Sequence, residues 1–249
     1  MIKSGLVSVT FRKLSPREVV GLVQQAGLNG IEWGGDVHVP HGNLERAREA
    51  RAMTLGAGLE VAAYGSYYCA GHPEVVPFEA VLASAGELGA PTIRVWAGKR
   101  GSADATDADR AWVVADSRRI ADMAAAVGIT VSYEFHPKTL MDSRESAERL
   151  LREAVHPNLR TYWQPPIGQP LEDNLAGLDA MRPWLSNVHL YHYAEGKRMT
   201  LSEGAAAWAE YLPHIAATGR THYAMIEFVK EDSPDNFLLD AATLRQWLA

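Results

Sequence analysis

The stretch DADRAWVVADSRRIADMAAAVGITVSYEFH (Asp107–His136) contains a complete structural unit. Its first part carries apolar residues at helical spacing and ends near Gly128, a residue suited to a helix C-cap. Its last part, Ile129–His136, alternates. Ser132, Glu134 and His136 fall on one face of a strand, and Val131, Tyr133 and Phe135 on the other. A helix running through one glycine into a short strand is the αβ half of a βαβ repeat. The strand also ends on a carboxylate and an imidazole, which packing alone does not require.

The same pattern recurs along the chain. Strand-like runs rich in β-branched and aromatic residues are expected at Gly5–Phe11, Gly30–Gly34, Leu59–Gly65, Thr92–Gly98, Ile129–His136, Leu159–Gln164, Asn187–Tyr193 and Tyr223–Val229. Amphipathic stretches lie between them. Ser15–Gly27 opens on Ser-Pro, a favourable N-cap and first-turn pair, and closes on glycine. Asp142 or Ser143 caps the helix that precedes Val155. Further helices are expected over Ser202–Gly219 and Asp235–Ala249. Strands separated by helices are parallel and joined by right-handed crossovers. Eight such units in 249 residues predict a single-domain (β/α)8 TIM barrel over residues 1–249. An open doubly wound sheet is the alternative, but neither GxGxxG after the first strand nor a P-loop supports it.

Composition narrows the function. The chain is 47% hydrophobic and 22% charged, with a formal net charge of −6. No basic stripe of the kind that binds nucleic acid is present, so a small-molecule partner is expected. No apolar run reaches membrane-spanning length and no signal peptide is recognisable, so a cytoplasmic protein is expected. Cys69 is the single cysteine and reads as a packing residue. No interface signal is evident; a homo-oligomer remains open.

The strand ends carry the chemistry. TIM-barrel sites are built at the C-terminal ends of the strands. Those positions hold Glu134 and His136, Gln164, His189 and Glu227. Two carboxylates, an imidazole and an amide oxygen converging from four consecutive strands suit one hard or borderline divalent cation: Mn, Mg, Co or Zn. Burying both carboxylates without a counter-charge would be costly.

GIEWGGDVHVPHG (Gly30–Gly42), YEFHPKTLMDS (Tyr133–Ser143), NVHLYH (Asn187–His192) and MIEFV (Met225–Val229) resemble the xylose isomerase-like TIM barrels, the sugar phosphate isomerase/epimerase group. The resemblance covers essentially the whole chain. It implies a metal held by Glu134, position 164, His189 and Glu227. Position 164 departs from the pattern: it is Gln where the family usually has Asp, which removes a charge and predicts weaker metal binding. The resemblance further implies isomerisation or epimerisation of a sugar or related polyhydroxy ketone through an enediolate, with Glu134 and Glu227 as the acid/base pair. Within the same family range lies a 3-dehydroshikimate dehydratase-like lyase. A barrel that binds sugar without catalysis is the other alternative, and an apurinic endonuclease fits poorly with so few ligands.

Several residues are expected to contact substrate: His38 (with His41 nearby), His136, Tyr64, Trp96, Arg12 and Lys230. Glu32 is expected to point inward and orient His38 or His41. Trp33 and Trp163 have the opposite parity and are expected to pack against helices.

Overall fold

The computed structural model describes residues 1–249. Seven parallel strands follow one another: β1 (Ile2–Val7), β2 (Gly30–Gly34), β3 (Glu60–Cys69), β4 (Thr92–Trp96), β5 (Thr130–Tyr133), β6 (Leu159–Trp163) and β7 (Leu185–Leu190). A short antiparallel hairpin, β8 (His192–Ala194) with β9 (Lys197–Met199), rises from the end of β7. The last strand, β10 (His222–Ile226), pairs with both β7 and β1 and closes an eight-stranded barrel. Helices α1 (Pro16–Ala26), α2 (Leu44–Gly56), α3 (Phe78–Leu88), α4 (Asp107–Ala125), α5 (Arg144–Ala154), α6 (Leu171–Met181), α7 (Ala205–Ala216) and α8 (Pro234–Leu248) follow the barrel strands in turn. The single-domain (β/α)8 fold is therefore present, and no helix is long and apolar enough to cross a membrane.

Local chemistry accounts for the helix boundaries. Ser15 and Glu18 form a reciprocal capping box at α1, which ends on Gly27 in the left-handed conformation. Thr106 and Asp109 do the same at α4, and Ser143, not Asp142, caps α5. Gly128 is left-handed (φ 74°), but α4 has already ended at Ala125.

Most strand boundaries differ from the expected ones. Residues 8–11, expected to be strand, form a 3-10 turn instead; the Ser8 hydroxyl there accepts the Gly34 N–H and pulls the chain across the mouth of β2. The third strand continues through a bulge as far as Cys69, with Tyr67 at φ 56°. The seventh stops at Leu190, and His192–Ala194 pairs in the hairpin, whose turn residues Glu195 and Gly196 both have positive φ. β5 and β10 stop at Tyr133 and Ile226, one residue before the glutamates that carry the site.

The core has two parts. A large cluster fills the layer between strands and helices, and Trp33 and Trp163 belong to it. Trp33 donates to Thr54 of α2, and Trp163 packs edge-on to Trp208 and Tyr211 of α7. A smaller cluster of Val7, Ala62, Ala63, Tyr162, Tyr223 and Met225 plugs the barrel interior below the site. Glycine is required where β1 and β2 meet: a Cβ on Gly5 would lie 2.9 Å from the Gly30 carbonyl oxygen and from Met225.

Candidate active site and metal centre

Glu134, Gln164, His189 and Glu227 meet at the C-terminal end of the barrel. The His189 Nδ1 atom is their common vertex. It lies 3.0 Å from Gln164 Oε1, 3.5 Å from Glu227 Oε2 and 3.7 Å from Glu134 Oε1. One ligand-type atom from each of Glu134, His189 and Glu227 falls within 4.8 Å of the other two. All four side chains are buried. Period-two geometry explains the convergence. Residues two apart on a strand share a face, and each of these side chains stands within one residue of a strand end on the inner face.

The other His189 nitrogen is also engaged. Nε2 lies 3.5 Å from Glu32 Oε2, so Glu32 does point inward, but it orients His189 and not His38 or His41. Glu32 Oε1 in turn accepts a 2.6 Å hydrogen bond from Arg94 Nε. Arg94 Nη1 donates to Glu134 Oε2, which also accepts from Trp96 Nε1 at 2.5 Å. A buried chain of alternating charge therefore runs His189–Glu32–Arg94–Glu134 across the barrel axis.

The electrostatics follow from burial opposed by these partners. Burial alone would raise the Glu32 carboxyl, but Arg94 and His189 outweigh it and hold the group down at about 2. Burial disfavours the charged His189 imidazole, yet Glu227 and Glu32 overcome this and raise it to about 10. Burial likewise opposes the Arg94 charge, and Glu134 with Glu32 reverses the effect, keeping the guanidinium ionised. Two buried atoms in this group have no hydrogen-bond partner: Glu227 Oε2 and Arg94 Nη2.

The donor set fits a divalent cation. It consists of two carboxylates, an imidazole nitrogen and an amide oxygen, all facing one point, with Glu227 Oε2 buried and without a hydrogen bond. A metal-ligating histidine commonly donates its second N–H to a carboxylate, the arrangement Glu32 provides.

The remaining expected residues divide into two groups. A cavity of about 1150 Å³ opens above the centre, and Arg12, Trp96 and His136 line it together with Glu134, Gln164 and Glu227. The His136 ring stacks on Trp96 at 4.8 Å, and its Nδ1 donates to the Pro137 carbonyl. Arg12 pairs with Asp36 and reaches the Tyr67 hydroxyl at 3.3 Å.

His38, Tyr64 and Lys230 are not part of the cavity wall. His38 is buried behind the 3-10 turn, with its ring nitrogens engaged by the Ser8 hydroxyl at 2.9 Å and the Leu14 carbonyl at 3.1 Å. The Tyr64 hydroxyl donates to the Val39 carbonyl, and His41 bonds that same hydroxyl. These side chains tie the β2–α2 loop down. Around Lys230 the chain turns so that Glu231 and Asp232 reach the cavity instead.

Arg94 was missed by reading strand ends alone, because it sits mid-strand. Its signal was nevertheless present: one arginine inside the apolar strand TIRVW, two residues before Trp96 on the same face.

Comparison with known proteins bears on the fold and the family. A curated 3-dehydroshikimate dehydratase from Bacillus anthracis is 28% identical over 163 residues, and the match takes in 57% of this chain and 58% of that relative. The crystal structure of the probable 3-DHS dehydratase AsbF involved in petrobactin synthesis, also from Bacillus anthracis, superposes with a TM-score of 0.80 at 23% identity, covering 98% of this chain and 99% of that one. The apo 3-keto-D-glucoside 4-epimerase of E. coli superposes with a TM-score of 0.75 at 17% identity, covering 99% and 100%. At these identities the structural likeness speaks for the fold. The model of the xylose isomerase-like TIM barrel family matches residues 20–247, nearly the whole barrel, and the chain belongs to that family.

Proposed function

We propose that this protein is a divalent-metal-dependent enzyme that removes a proton from the carbon beside a carbonyl group of a small hydroxylated, sugar-like substrate. The observation that carries this reading is the convergence of Glu134 Oε1, Gln164 Oε1 and Glu227 Oε2 on His189 Nδ1 at the floor of a large cavity. Glu134, Gln164, His189 and Glu227 would hold a cation of the Mn, Mg, Co or Zn type, which when bound would supply Lewis acidity toward a substrate oxygen.

The chain's own residues divide the rest of the work. Glu227 Oε2 is buried, makes no hydrogen bond and has only the His189 imidazole nearby at 3.5 Å, and it is the group that accepts the proton. Glu134 has one oxygen bound by Arg94 and Trp96, which leaves the other to face the centre. Trp96 offers a flat face for packing, His136 hydrogen-bonds a substrate hydroxyl, and Arg12 meets an anionic group.

That asymmetry favours a lyase over an epimerase. Epimerisation needs a proton taken on one face and returned on the other, hence two free acid/base groups. Here Glu134 is tied through one oxygen by Arg94 and Trp96, whereas the Glu227 carboxylate has only the 3.5 Å contact with His189. In a dehydration, the proton that Glu227 has accepted leaves with a hydroxyl of the substrate as water. The 28% identical relative, named a 3-dehydroshikimate dehydratase, supports this outcome. The second reading is an isomerase or epimerase in which Glu134 and Glu227 act together. One oxygen of each lies within 4.8 Å of His189 and of the other, which places both carboxylates at the same point of the cavity floor.

Metal-loaded protein incubated with 3-dehydroshikimate is expected to produce a conjugated product with new ultraviolet absorbance, and Glu227→Gln to abolish it. A silent spectrum, with deuterium from D2O entering a ketose instead, would move the assignment to the epimerase. Neither signal from protein holding one equivalent of metal would sink enolisation altogether.

A further inference from the structure

The mid-strand arginine explains how a centre with a neutral amide in place of a third carboxylate keeps its shape. Arg94 is 1% exposed and lies between two carboxylates: its Nε is 2.6 Å from Glu32 Oε1, and its Nη1 donates to Glu134 Oε2. On the cavity side the Tyr67 ring covers the guanidinium, 4.9 Å from the ring centre. Tyr67 adopts φ 56° to reach that place, a conformation unfavourable for a non-glycine residue that persists where the surroundings enforce it. Opposite, β3 presents Gly65. A Cβ there would fall 2.7 Å from Arg94 Nη2 and 2.8 Å from Glu32 Oε1, so no larger residue fits without moving the pair. Three strands and a strained tyrosine thus cradle one ion pair.

The pair touches two of the four residues around the centre. Glu32 reaches His189 through Nε2, and Arg94 reaches Glu134 through Oε2. In each case the contact takes the atom that faces away from the centre and leaves His189 Nδ1 and Glu134 Oε1 facing it. We propose that Glu32 and Arg94 are positioning residues: a buried ion pair that sets the ring orientation of His189 and the carboxylate orientation of Glu134, with Gly65 as the space that admits it. This rests on reading the centre as a metal site. The pair itself, however, is a property of the metal-free protein and is testable there.

Two measurements separate the inference from that reading. The first counts unbound Mn²⁺ by electron paramagnetic resonance during titration of the purified chain. Wild type is expected to bind one equivalent. Gly65→Ala, which displaces the pair and removes no charge, is expected to bind 10- to 100-fold more weakly, the range typical for loss of an outer partner of a metal ligand. Arg94→Met is expected to do the same. Arg94→Lys, which keeps the charge but cannot bridge two carboxylates, is expected to recover only part of the affinity. Because Arg94→Met leaves buried carboxylates without a counter-charge, the double variant Glu32→Gln/Arg94→Met serves as its folded counterpart.

The second measurement uses ¹⁵N-labelled histidine in protein stripped of metal. A slowly exchanging His189 Nε2 proton is expected in wild type and is expected to disappear in Glu32→Gln. Wild-type Mn²⁺ affinity in folded Gly65→Ala and in the double variant would overturn the positioning role and leave the metal centre standing. A wild type that binds no Mn²⁺ would overturn the metal reading. The histidine spectrum would then decide the pair alone, and an unchanged resonance in Glu32→Gln would overturn it.

Discussion

The barrel interior has two layers, and they are built on opposite principles. The lower layer, Val7, Ala62, Ala63, Tyr223 and Met225 with Tyr162 at its top, is apolar and closed. Its polar atoms have partners: the Tyr162 hydroxyl accepts from Asn187 at 3.0 Å, and the Tyr223 hydroxyl donates to Glu60. The upper layer, carried largely by the alternate strands, holds Glu32, Arg94, Glu134, His189 and Glu227, and leaves Glu227 Oε2 and Arg94 Nη2 without a hydrogen bond. Tyr162 marks the boundary, its ring edge-on to His189 at 5.0 Å. A buried polar atom without a partner costs about 1–3 kcal/mol. The lower layer supplies stability through packing, and the upper layer gives some of it up to keep reactive groups available.

The sharpest way to break this division is Glu227→Gln. Turnover is expected to fall about 10²–10⁴-fold, the usual contribution of a positioned acid/base group. Because Glu227 also faces the buried His189 imidazole at 3.5 Å, the amide is expected to lower the His189 pKa, and the fold should survive the change, as checked by thermal unfolding. A variant that loses stability together with turnover would show that the carboxylate is structural.

Met225→Ala is the converse. Truncation in the lower layer is expected to cost about 2–5 kcal/mol in denaturant unfolding, while Mn²⁺ affinity changes less than about threefold. An affinity that falls in step with stability would mean that the two layers are one unit.

Asp240 sharpens the comparison from outside both layers. It lies on α8, 1% exposed, with Oδ1 accepting the Leu201 N–H and Oδ2 unpaired. Burial raises its carboxyl to about 6, above the unfolded value near 4. The ionised group is therefore penalised in the folded state. The penalty is absent below about pH 4, grows between pH 4 and 6, and is complete above 6. Asp240→Asn is expected to stabilise the protein by about 2 kcal/mol at pH 7 and by nothing near pH 4. Equal stability of the two proteins at pH 7, measured by urea unfolding, would show that Oδ2 has found a partner. An unpaired carboxylate in the helix layer then costs stability with no chemical return, unlike Glu227.

The smallest expected effect is at position 164. Gln164→Asp restores a charge beside His189 Nδ1 and should tighten Mn²⁺ binding about tenfold, roughly 1.4 kcal/mol. Unchanged affinity would place Gln164 outside the ligand set and reduce the centre to Glu134, His189 and Glu227.

The legible part of the site follows one rule. Glu134, Gln164, His189 and Glu227 could be read as a group because each lies at the end of a strand, and a strand alternates its faces with period two. One apolar position therefore assigns the face of the next. The same rule assigned Trp33 and Trp163 to the helix layer, where Thr54, Trp208 and Tyr211 meet them. It did not extend to loops. His38 lies in the β2–α2 loop, whose fold turns it into an anchor, and Tyr64, on β3 in register with the outward-facing Trp33, holds that loop through the Val39 carbonyl.

The eightfold alternation of strand and helix, and with it the barrel, was determined by the sequence alone, because periodicity and capping act over a few residues. Tertiary structure decided which charges meet. Arg94 lies 62 residues from Glu32 and 40 from Glu134 in sequence, and His189 lies 157 from Glu32. Closing the barrel brings them within hydrogen-bonding reach in a buried interior, where a charge is costly alone and stable only in the right company. Local patterns carry no information on that company. The distances that distinguish Glu227 from the tied Glu134 exist only once all eight strands have closed.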